Sequence, residues 1–311
     1  MNRRTTLPAL LSALLVMALA AVAAPASAQD PAPAPAPAAP AVVAPYAYDQ
    51  LGVPMFRVAE GQQLPPVRPV GHPYKAVVTV ETASGDRTFR VFVPTLLTGP
   101  APTLVAMGGY AQVGESESYM RWERIATARH FVVVYPRGEA LSYNAGRCCG
   151  LAASRGVDDS AALIRMLQVE NDLYPQNPSR LYLTGFSNGG MMAYRFACEH
   201  PELVAAIGVV AAAYVARPLC MPTQPVPAMH IHGLLDRTVP YRGTAWSSLL
   251  RTSLPSVPQT NQVFAHVDYW AGVPYRNVEL RSLGHAWPHL GGAGNYDASG
   301  ALANFLLRFH R

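Results

Sequence analysis

The segment that most constrains this chain is Leu181-Tyr182-Leu183-Thr184-Gly185-Phe186-Ser187-Asn188-Gly189-Gly190-Met191-Met192. It reads as an apolar strand, a tight G-x-S-x-G turn and an Ala/Met-rich helix. Reversing the chain between strand and helix holds the central residue in a strained backbone conformation. The flanking glycines remove the side chains that would collide there. Ser187 is thereby lifted above a sheet edge with a helix N-terminus pointing at it, and the Asn188 amide is placed to donate to an oxyanion. Out of context the motif is only a Gly/Ser turn that opens a helix. With a strand before it and a helix after it, the motif predicts a serine nucleophile.

The surrounding pattern agrees. Tyr74 to Glu81 and Thr88 to Val93 alternate around Ser84-Gly85-Asp86, which predicts a β-hairpin. Short apolar runs then alternate with helical patterns. Buried strands are predicted over 103–107, 131–135, 180–184, 205–210 and 228–232, and helices over 119–129, 158–170 and 190–199. A last strand over 278–283 and a closing helix over 299–310 complete the series. A hairpin followed by βα repeats predicts an α/β protein: three layers around a mostly parallel sheet, with an N-terminal antiparallel hairpin. The repeats are too few for a closed barrel of eight βα units.

Residues 1–28 predict a signal peptide. Arg3 and Arg4 give a basic start, Leu7 to Ala24 is apolar but for Ser12, and Ala26-Ser27-Ala28 offers a small-residue exit. The apolar run is nearly long enough for an uncleaved anchor. Pro8 and the small-residue exit favour cleavage, and no cysteine follows to carry a lipid. A secreted or periplasmic protein is expected, with no stable membrane insertion after signal cleavage. Residues 29–45, prolines alternating with alanines and running on to Pro45, read as a stiff polyproline spacer or a low-complexity tail. Such a spacer would reach about 45 Å at ~3.1 Å per residue. Residues 46–311 show no repeat and no second break in composition, so one catalytic domain is expected.

Composition narrows the class. Half of the 311 residues are apolar and 14% charged, which excludes a disordered or coiled-coil chain. The formal charge is +5, yet Lys75 is the only lysine and the arginines are scattered. Signal cleavage would remove two of them, so no nucleic-acid partner is expected.

A serine hydroxyl needs a base, and the base needs an orienting acid. In chains with this nucleophile turn the order is serine, acid, histidine. Three aspartates follow Ser187: Asp236, Asp268 and Asp297. Asp236 comes one short turn after the strand Ala228-Met229-His230-Ile231-His232, at the catalytic edge, and is the expected acid. Asp297 reads as a cap for the final helix, with Ser299 as the alternative. Asp268 follows no strand end. His285, in Leu283-Gly284-His285-Ala286-Trp287-Pro288 between the last strand and the closing helix, is the expected base. His230 and His232 point the same way along a strand, but without a further ligand set they read as packed or loop-anchoring residues, and no metal is expected. A second oxyanion donor is expected from Met107-Gly108-Gly109-Tyr110, through the Tyr110 amide.

Four blocks then make the chain resemble the secreted esterase family that includes polyhydroxybutyrate depolymerases and feruloyl or acetylxylan esterases. They are Asn144-Ala145-Gly146-Arg147-Cys148-Cys149-Gly150 with Val157-Asp158-Asp159; Thr184 to Met192 with Ala197-Cys198-Glu199; His232-Gly233-Leu234-Leu235-Asp236 with Val239-Pro240-Tyr241; and Gly284-His285-Ala286-Trp287-Pro288. The resemblance implies an α/β-hydrolase fold, no cofactor, and Ser187, Asp236 and His285 as the triad. One departure is visible: the family usually carries histidine where this chain has Gly108. The resemblance also bears on the cysteines. Four allow three pairings, and a Cys198–Cys220 bridge would stabilise by roughly 3 kcal/mol. Cys148 and Cys149 would then remain as a vicinal bridge or as thiols.

The expected function is hydrolysis of a small or polymeric carboxylic ester through a Ser–His–Asp triad and an acyl-enzyme. Tyr110 and Trp287 are expected to line the substrate, with packing against the scaffold as the alternative for both. A serine peptidase on the same fold and a non-catalytic secreted binding module are the rival readings. The ester itself and the oligomeric state are not legible.

Overall fold

The computed structural model describes residues 39–111, 116–216 and 220–311, apart from the side chains of 265–271. The expected signal peptide and the spacer up to residue 38 lie outside the described residues. Residues 40–311 form one compact unit.

The unit opens with four short strands: β1 (Ala41–Val42), β2 (Ala47–Tyr48), β3 (Pro54–Val58) and β4 (Gln62–Gln63). β1 pairs with β4 and the Val43 amide donates to the Gln63 carbonyl, so residues 41–43 of the expected spacer lie in a strand ladder. Ala41 to Ala44 interrupt the prolines and restore the N–H groups that a ladder needs. The hairpin β5 (Tyr74–Val80) and β6 (Arg87–Val93) follows, then β7 (Ala101–Met107), α1 (Ser116–Met120), α2 (Trp122–Arg129) and β8 (Val132–Pro136). Next come α3 (Gly150–Ser154), α4 (Asp159–Leu173), β9 (Gln176–Phe186), α5 (Asn188–Glu199), β10 (Ala206–Val210) and β11 (Ala228–Gly233). A two-stranded excursion, β12 (Thr244–Ser247) and β13 (Thr252–Leu254), leads into α6 (Val257–Ala271), β14 (Tyr275–Leu280) and α7 (Ala298–Leu306).

Ten strands form one sheet in the order β14-β11-β10-β9-β7-β8-β6-β5-β3-β2. From β14 to β8 every pairing is parallel; β6 runs antiparallel to both β8 and β5. The central strands are apolar on both faces because each face is covered. Val105, Val132, Val134, Leu183 and Val209 point into one core, shared with Leu163 and Met166 of α4 and Met191 and Met192 of α5. Leu104, Val133, Tyr182 and Val210 point into the other, shared with Trp122 of α2 and Leu302 of α7. That alternation with period two divides the chain into three layers. β11 obeys it too: Met229 and Ile231 join the α7 side, so His230 and His232 face the α5 side. At its N-terminus α7 is capped by Asp297, whose carboxylate accepts from the Gly300 amide at 3.0 Å.

Candidate active site

Ser187 sits at the junction of β9 and α5 near the middle of the sheet. Its φ of 52° and ψ of −119° lie where side-chain-bearing residues are rarely found. The surroundings hold it there. Its amide donates to the Val210 carbonyl at 2.9 Å. A Cβ at Gly185 would overlap the Gly189 carbonyl, and one at Gly189 would overlap the carbonyls of Met107 and Gly108. Both motif glycines are therefore needed for close approach, and the second brings the loop after β7 against the start of α5.

The acid and the histidine arrive on touching loops. The Leu234 amide donates to Leu280, and the Leu235 amide to Leu283, each at 3.0 Å. A side chain at Gly233 would collide with the Leu283 and Gly284 carbonyls. The turn carrying Asp236 is thus sewn to the loop carrying His285. His285 Nδ1 lies 2.7 Å from Asp236 Oδ2, and Nε2 lies 3.0 Å from Ser187 Oγ. A carboxylate only accepts, so the ring proton is on Nδ1, and Nε2 accepts from the serine hydroxyl. The Phe186 ring packs 4.8 Å from the imidazole, centroid to centroid.

Burial pushes the Asp236 carboxyl upward, but donors overturn that push. His232 and His285 donate to it, the charge of His285 favours the anion, and the Val239 amide adds a further bond, leaving it at about 2. The Thr238 and Val239 amides both reach Oδ1 at 2.8 Å. Asp236 is thus anionic at neutral pH and fixed in orientation.

Of the two expected oxyanion donors, Asn188 opens α5, where amides lack an intrahelical acceptor. Its side chain has a role the sequence reading missed: fully buried, it accepts from the Tyr143 amide at 2.7 Å and donates to the Tyr143 carbonyl at 2.9 Å. The segment around Tyr143 is held again from behind. Asn144 donates to the Val157 carbonyl, and its amide donates to the buried carboxyl of Asp159 at 2.7 Å. The other donor, Tyr110, lies between two engaged amides. Gly109 donates to the Tyr119 oxygen, and Ala111 to the Leu141 carbonyl at 2.9 Å. The Tyr110 ring is half-buried and lies over Gly150.

Trp287 packs against the scaffold. It is buried, packs edge-on against Tyr119 and Trp122, and its indole N–H donates to Ser299 Oγ at 3.0 Å. A buried indole needs an acceptor, and Ser299 supplies one inside the core. Tyr119 and Trp287 form a second aromatic tier behind Phe186. Tyr119 had no sequence signal, because only the fold brings 119, 186 and 287 together.

Cys198 is bridged to Cys220, with Cα atoms 6.2 Å apart, and Cys148 is joined to Cys149. Asp268 falls in α6, where its side chain is not described. His230 and His232 bond to one another, Nε2 to Nδ1 at 2.9 Å.

Residues 152–266 match the model of the Phospholipase/Carboxylesterase family, a span that holds Ser187 and Asp236 but stops short of His285. The chain is 29% identical over half its length to a bifunctional acetylxylan esterase/xylanase of Neocallimastix patriciarum, covering 22% of that protein. It is 31% identical over 66% of its length to the esterase-named NocK protein of Nocardia uniformis subsp. tsuyamanensis, covering 59% of it. A poly(3-hydroxyalkanoate) depolymerase C of Paucimonas lemoignei is 26% identical over 42% of this chain and 32% of its own. The chain therefore spans less than two thirds of these relatives. The resemblance read from the four sequence blocks is found again in them. Among solved structures, a thermostable esterase superposes with a TM-score of 0.51 at 16% identity, covering 76% of this chain and 63% of its own. Porphyromonas gingivalis dipeptidyl peptidase 4 superposes at 0.53 and 15%, covering 76% and 36%. The fold is that of the α/β-hydrolases, and it is shared by esterases and peptidases alike.

Proposed function

We propose that this α/β-hydrolase is an exported serine carboxylic ester hydrolase working through Ser187, His285 and Asp236. The observation that carries the reading is the continuous hydrogen-bond line from Asp236 through His285 to Ser187, at 2.7 and 3.0 Å. His285 Nε2 takes the hydroxyl proton as Ser187 Oγ attacks the ester carbonyl. The Tyr110 and Asn188 amides receive the oxyanion. Collapse of the tetrahedral intermediate expels the alcohol, which takes the proton from His285, and water repeats the cycle on the acyl-enzyme. Asp236 keeps the ring proton on Nδ1 and stabilises the imidazolium. The Gly108 carbonyl packs against Gly189, so the contact between loop and helix supports the oxyanion loop where the family usually has histidine. The two disulfides support export, since such bonds persist in oxidising compartments.

Hydrolysis of p-nitrophenyl acetate, methyl ferulate, hydroxybutyrate oligomers and a peptide amide tests the reading and separates its substrates. Ester turnover that falls by at least about 10³-fold in Ser187→Ala is expected, with loss of labelling by a serine-directed phosphonate. Cleavage confined to the amide would make the chain a peptidase. Labelling that persists in Ser187→Ala would remove the nucleophile.

A further inference from the structure

Behind the triad runs a second line of buried hydrogen bonds. His230 and His232 are both fully buried on β11. The Tyr194 hydroxyl of α5 meets His230 Nδ1 at 2.9 Å, His230 Nε2 meets His232 Nδ1 at 2.9 Å, and His232 Nε2 meets the Val239 carbonyl at 2.9 Å. The same His232 Nε2 lies 3.5 Å from Asp236 Oδ2, the oxygen that holds His285. Tyr194 is in turn 3.0 Å from the Tyr275 hydroxyl of β14, which donates to Asn261 of α6.

The direction of every proton along this line follows from its end. A carbonyl cannot donate, so His232 Nε2 must carry a hydrogen toward Val239 and Asp236. With His232 neutral, its Nδ1 has none and must accept from His230 Nε2–H. His230 Nδ1 must then accept from the Tyr194 hydroxyl. Burial together with the neighbouring ring disfavours the charged form of His230.

We propose that His232 is a positioning residue: its Nε2–H, held in one tautomer by His230 and Tyr194, is the second side-chain donor that fixes the Asp236 carboxylate for His285. The inference rests on the triad reading above. The groups that face His232 are His230 on its own strand, Asp236 and Tyr241 from the following turns, and Glu279 paired across on β14 and bonded to Tyr241; His285 lies beyond Asp236, and Tyr194 and Tyr275 beyond His230. Val239 belongs to the same clamp, since its amide donates to Asp236 Oδ1 while its carbonyl accepts from His232.

Three substitutions read the donor separately from the packing. His232→Leu keeps bulk without a polar atom, His232→Asn keeps an acceptor for His230 but falls short of Asp236, and His232→Gln extends an N–H to the position of Nε2. Leu and Asn variants are expected to lower kcat on p-nitrophenyl acetate about tenfold with KM nearly unchanged, and Gln to recover most of the loss. In the Leu and Asn variants the acid limb of the kcat/KM profile should move to higher pH, because a carboxylate with one donor fewer holds the imidazolium more strongly. Tyr194→Phe, which frees the far end, is expected to cost about threefold. A merely structural role would scale with stability and leave the pH profile in place. Wild-type kcat in His232→Leu, or equal loss in Gln and Asn, would overturn the proposal. The downfield His285 Nδ1–H resonance needs no turnover: it should shift in Leu and Asn and hold in Gln, and an unmoved resonance in Leu would also overturn it. Should no ester be hydrolysed while the resonance responds, the esterase reading fails and the positioning of Asp236 stands.

Discussion

Asp236, in the turn after β11, and Glu170, near the end of α4, are both carboxyls shut away from water, yet they are displaced in opposite directions. Burial pushes both upward. At Asp236 four donors converge on two oxygens and bring the group down to about 2. At Glu170, among the described residues, only the Gln176 amide donates and Oε1 has no partner, and the group rises to about 8. Burial alone therefore does not decide the protonation state of an acid inside this protein. The number of donors aimed at it does.

The largest break in that contrast comes at Asp236. Asp236→Asn offers His285 Nδ1 an N–H or a neutral oxygen in place of a carboxylate, loses the tautomer and should lower kcat by about 10⁴-fold with the fold retained, checked by steady-state kinetics beside circular dichroism. Glu170 governs the next effect. Its folded value of about 8 stands above the ordinary 4.5, so the folded chain holds a proton that the unfolded chain has released across that window. Stability is then highest below the lower value and falls as pH rises toward the upper, by up to about 1.4 kcal/mol per pH unit. Urea unfolding at successive pH values should show this slope, and Glu170→Gln should flatten it.

Asp236 supplies the opposite slope. Its contribution is fully present above the ordinary 3.8 and is lost as pH falls through about 2, a loss of about 2 kcal/mol that Asp236→Asn should abolish in acid-unfolding curves. The smallest effect belongs to an exposed carboxylate with a single amide donor. Asp297→Ala should cost about 1 kcal/mol in thermal unfolding and leave kcat unchanged, because only the cap of α7 is lost.

Much of the site was legible from local patterns. Ser187 announced itself because strand, turn and helix are neighbours in sequence, and Asp236 and His285 because each follows a buried strand by a short turn. β3 was not legible: five residues opening on Pro54 at the margin of the sheet leave too little periodicity. Nor was α6, which opens Val257-Pro258 and carries few regularly spaced apolar residues in its first turns. For Trp287 the sequence left a substrate wall and scaffold packing open, because its acceptor, Ser299, is a helix residue that only the fold brings to it.

The sequence by itself determined the G-x-S-x-G turn, the order of the proposed serine, acid and histidine, the hairpin-then-βα architecture and the family likeness, because each rests on short-range spacing. Only the tertiary structure decided that Asn188 clamps Tyr143, that Trp287 packs against Tyr119, Trp122 and Ser299, and that Tyr194, His230 and His232 form a buried hydrogen-bonded line ending beside Asp236. Asn188 and Tyr143, Trp287 and Tyr119, and Tyr194 and His230 are far apart in the chain. Burial strips them of water, and the polar atoms of these groups are then satisfied by partners brought to them across the fold.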